Sequence, residues 1–415
     1  MENKLRIAIV VFFALLISFI FIVTRSEIKN IEELKVQYPD LKSEVYSLRM
    51  DSLHVWGVNL ILSFAIPLFF LTSRLSQKIN LTVGQGKNLF FSGLLYGIVF
   101  FGLIFLINLP LDFYSSFYLK HKYGLSDQTF LRWLELNLKG FLVNDCLIAL
   151  LLWIPYYFIY SNPKGWWLNL GLLAIPVIIF MVFISPFLID PIFNKYTSIE
   201  NEQLGQAIDS LLERAGIEDA QIFMVDKSKD TKTMNAYMTG IFKSKRIVLW
   251  DTTIDNMTEE EILSITSHEM GHYVKGHIWK NIIFSSVGTI LILYLVFISS
   301  RWILKASDGS FGFRNLYNYS SLPLLILALN LFTFLGSPIS SYVSRTMEIE
   351  ADSYEISLTK NRMPAISAMK KLYDTSLGIP RPSKIYKIWY YTHPPLEERI
   401  EFYKTVDFEY IGEKS

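Results

Sequence analysis

Seven long apolar stretches dominate this chain and restrict its fold more than any other feature of the sequence. They cover residues 7–24, 54–72, 89–111, 141–160, 166–188, 282–304 and 321–343. Each is close to the roughly 20 residues that a helix needs to cross the hydrocarbon layer of a bilayer. The first stretch lacks a small-residue cleavage site, so we expect a retained span rather than a cleaved signal peptide. We therefore predict a predominantly α, polytopic membrane protein with seven transmembrane helices.

The overall composition agrees with that class. The 415 residues are 51% hydrophobic and 19% charged, and the formal net charge is +1. This balance is typical of a multi-span membrane protein. It lacks the strongly basic character that nucleic-acid binding usually needs, so we expect no nucleic-acid partner.

The apolar stretches divide the chain into four regions. We predict five transmembrane helices with their loops in 1–188, a water-facing segment in 189–281, spans six and seven in 282–343, and a second water-facing segment in 344–415. Lysines and arginines are more numerous in the loops on the C-terminal side of the membrane, which favours a cytosolic location for both water-facing segments.

Local patterns predict a small mixed structure in the first water-facing segment. We expect a helix over 200–216, a strand over 221–226 and a hairpin over 235–251 that turns at Lys243, Ser244 and Lys245. Thr258 followed three residues later by Glu261 is a capping-box signature, so a further helix begins there.

That helix carries the sequence SHEMGHYVKGH, residues 267–277, which contains an H-E-x-x-H motif. His268 and His272 are one helical turn apart and can bind one ion from the same face, while Glu269 can accept a proton from a metal-activated water. We predict one Zn²⁺ per chain at this site. The alternative is a pair of histidines on a solvated helix face. His277 lies on the opposite face as long as the helix stays regular, so it is not expected to be a ligand.

A third ligand is available in SRTMEIEADSYEIS, residues 344–357. Glu348, Asp352 and Glu355 share one helical face, whereas Glu350 is turned away. Glu348 can complete a His₂Glu set, and Asp352 can accept the other N–H of a ligand histidine. The alternative is an acidic helix face in solvent. His272 is expected on a continuous helix that enters span six, and Glu348 just beyond span seven, so the site would lie at the membrane surface and select membrane-associated substrates.

Several segments together resemble the Ste24 type of CAAX prenyl protease, in the M48 class of zinc metallopeptidases. They are DFYSSFYLKHKYGLSDQTF (112–130), NAYMTGIFKSKRIVLWDT (235–252), HEMGHYVKGH (268–277), SRTMEIEAD (344–352) and THPPLEERI (392–400). The resemblance implies seven transmembrane helices that enclose a chamber, with a cytosolic, gluzincin-like zinc protease domain that contains a small β-hairpin or sheet.

The same resemblance implies residue roles. It makes His268, His272 and Glu348 the zinc ligands, Glu269 the general base and Asp352 the carboxylate behind a ligand. It places His393 near the scissile bond, although a turn residue before two prolines is an equal alternative. Asn235, Ala236 and Tyr237 would bind substrate along a strand edge, unless this is an ordinary hairpin strand. Arg362 is a further candidate for substrate binding.

The resulting functional prediction is an integral-membrane zinc endopeptidase that cuts near the C-terminus of prenylated, CAAX-type proteins or peptides. The alternative is a general membrane quality-control metalloprotease without a prenyl requirement. A transporter is disfavoured because no internal repeat is detected. Expected partners are peptide or protein substrates with lipid-modified C-termini, and membrane lipids. The short loop at 305–319 favours a bacterial inner membrane; a eukaryotic protein would be in the endoplasmic reticulum membrane. The catalytic site would face the cytoplasm.

Overall fold

The computed structural model describes residues 3–84, 87–199, 201–240 and 244–406. The helices α1 to α10 are Asn3–Gln37, Ser43–Thr72, Leu75–Gly84, Leu89–Asp112, Leu119–Lys122, Phe130–Gly140, Cys146–Leu151, Trp153–Ser161, Trp166–Leu188 and Asp190–Phe193. The helices α11 to α18 are Glu202–Arg214, Asp251–Asn256, Glu259–Val274, His277–Ser307, Leu322–Thr359, Arg362–Ser376, Lys384–Tyr390 and Leu396–Thr405. The strands β1 to β4 are Tyr196–Ser198, Gln221–Val225, Ala236–Thr239 and Arg246–Trp250.

Seven helical segments of the described chain are long and apolar enough to cross a membrane, and each contains one predicted span. They are Asn3–Gln37, Ser43–Thr72, Leu89–Lys122, Phe130–Ser161, Trp166–Phe193, His277–Ser307 and Tyr319–Thr359. The prediction of a predominantly helical protein with seven transmembrane helices is confirmed. The segments extend beyond the apolar cores that the sequence marks, because their polar ends continue as helix outside the predicted spans. The chamber that the resemblance implies stays a prediction.

The four strands form one sheet outside the predicted spans, in the order β1-β2-β4-β3. β2 and β4 are parallel, and the other neighbours are antiparallel. The pairing of β3 with β4 confirms the predicted hairpin, although Lys243 of its turn lies outside the described residues, as does Glu200 of the predicted helix. One face of the sheet, with Ala236, Ile247 and Leu249, packs on apolar residues of α11 and α13. β3 is left as an edge strand.

The helix α13 begins as the sequence predicts. The Thr258 side chain accepts from the Glu261 backbone, and the Glu261 side chain accepts from the Thr258 backbone. The helix packs closely against α15, because a Cβ at Gly271 would lie 3.0 Å from the backbone of Ala351. Nearly all of the α13 side chains that face α15 and the sheet are therefore buried.

The prediction of one continuous helix from His272 into span six is wrong. α13 ends at Val274, Gly276 adopts a left-handed conformation with φ of 66°, and α14 begins at His277. A glycine tolerates this conformation because it has no Cβ. By contrast, α15 runs without a break from Leu322 to Thr359 and carries Glu348 out of span seven.

Candidate metal centre

His268, His272 and Glu348 bring their ligand atoms together between α13 and α15. His268 Nε2 and His272 Nε2 are 3.2 Å apart. Each lies 3.3 Å from one oxygen of Glu348. All three potential ligand atoms lie within 4.8 Å of one another, so one ion can contact them all. The packing of two helices thus joins residues that are 76 to 80 positions apart in the sequence.

The burial of Glu348 supports a metal at this point. Its residue is only 6% exposed, and its buried Oε2 faces His268 Nε2 at 3.3 Å. A buried carboxylate carries a large desolvation cost unless positive charge meets it. Two imidazole nitrogens and a carboxylate oxygen are the donor set of catalytic zinc sites that keep one position open. The residues present therefore fit a metal ion.

A buried charge cluster holds the outer nitrogen of His268. Asp352 Oδ1 lies 2.8 Å from His268 Nδ1, and Arg399 Nε donates to Asp352 Oδ2 at 2.9 Å. Tyr403 Oη lies 2.8 Å from Asp352 and 2.7 Å from Glu355. Burial opposes the charged form of His268, but its hydrogen bonds to Asp352 and Glu348 outweigh this and raise its pKa well above the ordinary value. Asp352 thereby fixes the orientation of the first histidine.

A second, different cluster holds His272. Its Nδ1 lies 2.8 Å from Nδ1 of His277, and His277 Nε2 lies 2.9 Å from Glu350 Oε2. The Glu350 carboxylate also accepts from Lys280 at 2.7 Å. Because an ionised carboxylate only accepts, His277 donates through Nε2 and accepts through Nδ1 from His272, which leaves His272 Nε2 as a lone-pair donor for the metal.

Glu269 lies in a cavity of about 490 Å³ that also exposes the three ligands. Burial raises the pKa of its carboxyl group, and the neighbouring His268 and His272 partly oppose that rise. A carboxylate beside the open side of the ligand set is where a proton acceptor for water is needed.

The proposed substrate-binding residues separate into two groups. Asn235 and Ala236 line this cavity, and so does His393, whose Nε2 lies 3.4 Å from Glu348 Oε1. Tyr237 is turned to the opposite face of the sheet, where its hydroxyl lies 3.1 Å from that of Tyr196. Arg362 lies elsewhere and donates to the carbonyls of Lys404 and Val406. The structure does not bring Tyr237 or Arg362 to the metal-ligand cluster.

Sequence reasoning missed four residues that support the ligands: His277, Glu350, Arg399 and Tyr403. The turn at Gly276 is a recognisable signal that the helix stops, and it would have removed the argument against His277. Arg399 lies within the THPPLEERI segment, but no local pattern indicates its contact with Asp352, 47 positions away. These contacts depend on the packing of separate helices.

Comparisons with known proteins agree with this geometry. Residues 198–406 match the model of peptidase family M48. Residues 41–195 match a model described as CAAX prenyl protease N-terminal, five membrane helices. The fold is similar to a crystal structure of S. mikatae Ste24p, with a TM-score of 0.78 and 25% identity over 93% of this chain and 99% of that one.

Individual relatives span most of the chain. A Bacillus subtilis protein named uncharacterized metalloprotease YhfN is 33% identical over 71% of this chain and 69% of its own length. CAAX prenyl protease 1 of Saccharomyces cerevisiae is 31% identical over 83% of this chain and 77% of its own length. A Mus musculus protein named CAAX prenyl protease 1 homolog is 29% identical over 88% of this chain and 85% of its own length.

Proposed function

This chain belongs to peptidase family M48 and is a multi-pass membrane metallopeptidase, and from that premise we propose that it is a zinc endopeptidase that cuts lipid-modified C-terminal tails. The observation that carries this proposal is the ligand cluster on α13 and α15. These helices place Glu269 and the open side of the cluster in one cavity, and α15 leads there directly from span seven.

His268, His272 and Glu348 would hold the zinc ion, which when bound lowers the pKa of a water and polarises the peptide carbonyl. Glu269 takes the proton from the attacking water and can return it to the leaving amine. His393 Nε2 lies 3.4 Å from Glu348 Oε1, and its side chain can donate a hydrogen bond to the oxygen of the reacting carbonyl.

Substrate alignment is assigned to the edge strand β3. An extended peptide can pair with its free edge through main-chain hydrogen bonds. The Asn235 side-chain oxygen accepts from the Ala236 N–H at 2.8 Å, which orients its amide nitrogen as a donor for a substrate carbonyl. Tyr237 and Arg362 lie outside the metal-ligand cluster, so any contact that they make with the substrate would be away from the metal.

The position of the site next to the membrane spans indicates the class of substrate. Because α14 and α15 both connect the site to membrane spans, a bond to be cut must approach the membrane surface. A prenylated C-terminus is anchored there, and relatives named CAAX prenyl protease support this choice. We further propose that the site faces the cytoplasm, in a bacterial inner membrane or, in a eukaryote, the endoplasmic reticulum membrane.

The test uses purified protein in detergent with a quenched fluorescent peptide that ends in a farnesylated Cys-a-a-X sequence. The same peptide without the farnesyl group and the variant Glu269→Gln serve as controls. Metal-dependent cleavage that prefers the farnesylated peptide supports the proposal. Equal cleavage of both peptides would instead support the quality-control protease, and no cleavage of either by metal-loaded protein would contradict both.

A further inference from the structure

A second cavity, of about 470 Å³, lies where the fourth and fifth spans meet the sheet. It is distinct from the metal-ligand cavity and shares no lining residue with it. Its cationic lining consists of Arg132, Lys139, Lys195, Lys229 and Arg246. No carboxylate of the described residues contributes to this lining, so the cavity presents only positive charge to a ligand.

Three of these cations already have acidic partners behind the cavity wall. Arg132 pairs with Asp230 at 3.0 Å, Lys139 with Glu135 at 2.7 Å, and Lys229 with Asp226 at 2.6 Å. Lys195 and Arg246 form no ion pair with a carboxylate anywhere in the described ranges, and for Arg246 this includes Asp190 of the adjacent helix α10. The cavity therefore has two cations without an ion-pair partner among the described residues, of which Arg246 also interacts electrostatically with Asp190.

Arg246 is the residue that points most directly to a ligand site at this cavity. The residue is 6% exposed, and its Nε is buried without a hydrogen-bond partner among the described atoms. The rest of the guanidinium is fixed, because Nη2 donates to the carbonyl of Pro186 and the group lies 4.2 Å from the ring centre of Phe187. A rigid, buried cation with an unused donor is suited to an oxyanion.

The surroundings identify the source of that anion. Pro186 lies in the last turn of α9, so Arg246 marks the level at which the fifth span ends. Ile192 lines the cavity and is 43% exposed, and Leu188 at the end of α9 is 63% exposed; we expect acyl chains to cover this apolar surface. Basic pockets between the ends of transmembrane helices bind the head groups of anionic lipids. We propose that this cavity binds the phosphate group of an anionic membrane lipid.

Such a lipid would contact both the end of span five and the first residue of β4. It would therefore link the membrane-spanning part to the sheet whose edge strand borders the metal-ligand cavity. The contact involves no metal ligand, so lipid binding can be measured independently of peptidase activity.

The experiment titrates full-length, zinc-loaded protein in detergent with dioctanoyl phosphatidylglycerol and, separately, dioctanoyl phosphatidylcholine, and counts bound lipids by native mass spectrometry. Lys195→Gln removes an exposed cation of the cavity. Lys164→Gln is the matched control, since Lys164 is an exposed lysine at the other end of span five. Arg246→Gln is a second variant, used with a melting curve that reports whether it folds.

We expect one phosphatidylglycerol bound at least tenfold more tightly than phosphatidylcholine. Lys195→Gln should weaken it about fivefold, the effect of roughly one surface cation, and Lys164→Gln should not change it. Unchanged binding in Lys195→Gln overturns the proposal, whether or not Arg246→Gln folds. Displacement of the lipid by equimolar glycerol 3-phosphate also overturns it, because the site would then take free phosphate esters.

Discussion

Replacement of His277 by alanine should weaken metal binding although His277 lies outside the candidate ligand set of His268, His272 and Glu348. The side chain is 2% exposed and holds Nδ1 of His272 at 2.8 Å, with Glu350 at its other nitrogen. Its removal deletes a hydrogen bond in a chain that ends on a carboxylate, which is worth about 1.5–3 kcal/mol. That loss corresponds to a decrease in metal affinity of roughly 10- to 100-fold, the range found for partners behind metal-bound histidines.

The assay is competition for zinc between the purified protein and a fluorescent chelator. A cobalt-substituted sample adds a spectrum that reports whether the remaining ligands still form the same geometry. His54→Ala is the matched control, because His54 is exposed on α2 and lies outside the ligand cluster. Glu350→Gln should give an intermediate loss, since His277 stays in place but its carboxylate partner is removed.

The reasoning is refuted if His277→Ala binds zinc within twofold of the wild type and gives an unchanged cobalt spectrum. A melting temperature that falls while metal affinity stays constant would show that His277 acts only in packing. Both results would mean that α13 alone orients His272.

Three other outcomes follow from the structure. Glu269→Gln should lower peptide cleavage by roughly 10²- to 10⁴-fold with zinc content unchanged, as measured by initial rates and metal analysis; a smaller loss contradicts its role as the base. Asp352→Ala leaves the 7%-exposed Arg399 without its ion pair and should destabilise the protein by about 3–5 kcal/mol in denaturant unfolding. Burial raises the pKa of Glu261, but Lys371 at 2.7 Å and further hydrogen bonds outweigh this and lower it. The contribution of Glu261 to folding stability is therefore present above the pKa that its carboxyl group has in the unfolded state, and it is lost as the pH falls through the pKa in the folded state. Glu261→Gln should accordingly flatten the acid dependence of the melting temperature.

Much of the architecture can be predicted from local sequence patterns. The seven spans are recognisable because a helix that crosses hydrocarbon must be apolar along most of its length. The capping box at Thr258 and the i, i+4 spacing of His268 and His272 are also local, since helix geometry alone determines which residues share a turn. These patterns were sufficient to predict two candidate ligands, the adjacent candidate base and the face of α15 that supplies the third candidate ligand.

The partners of those residues could only be decided by tertiary structure. Helix periodicity alone predicts that His277 and His272 lie on different faces of one helix. In the structure, the left-handed turn at Gly276 brings His277 within hydrogen-bonding distance of His272. Arg399 is 47 positions from Asp352, and Glu350 is 73 positions from His277. Such contacts depend on how whole helices pack, and no short-range pattern encodes a helix-to-helix distance. The sequence by itself therefore determined the spans and the residue types of the candidate metal site, while the packing of α13, α14, α15 and α18 decided which side chains hold those residues in place.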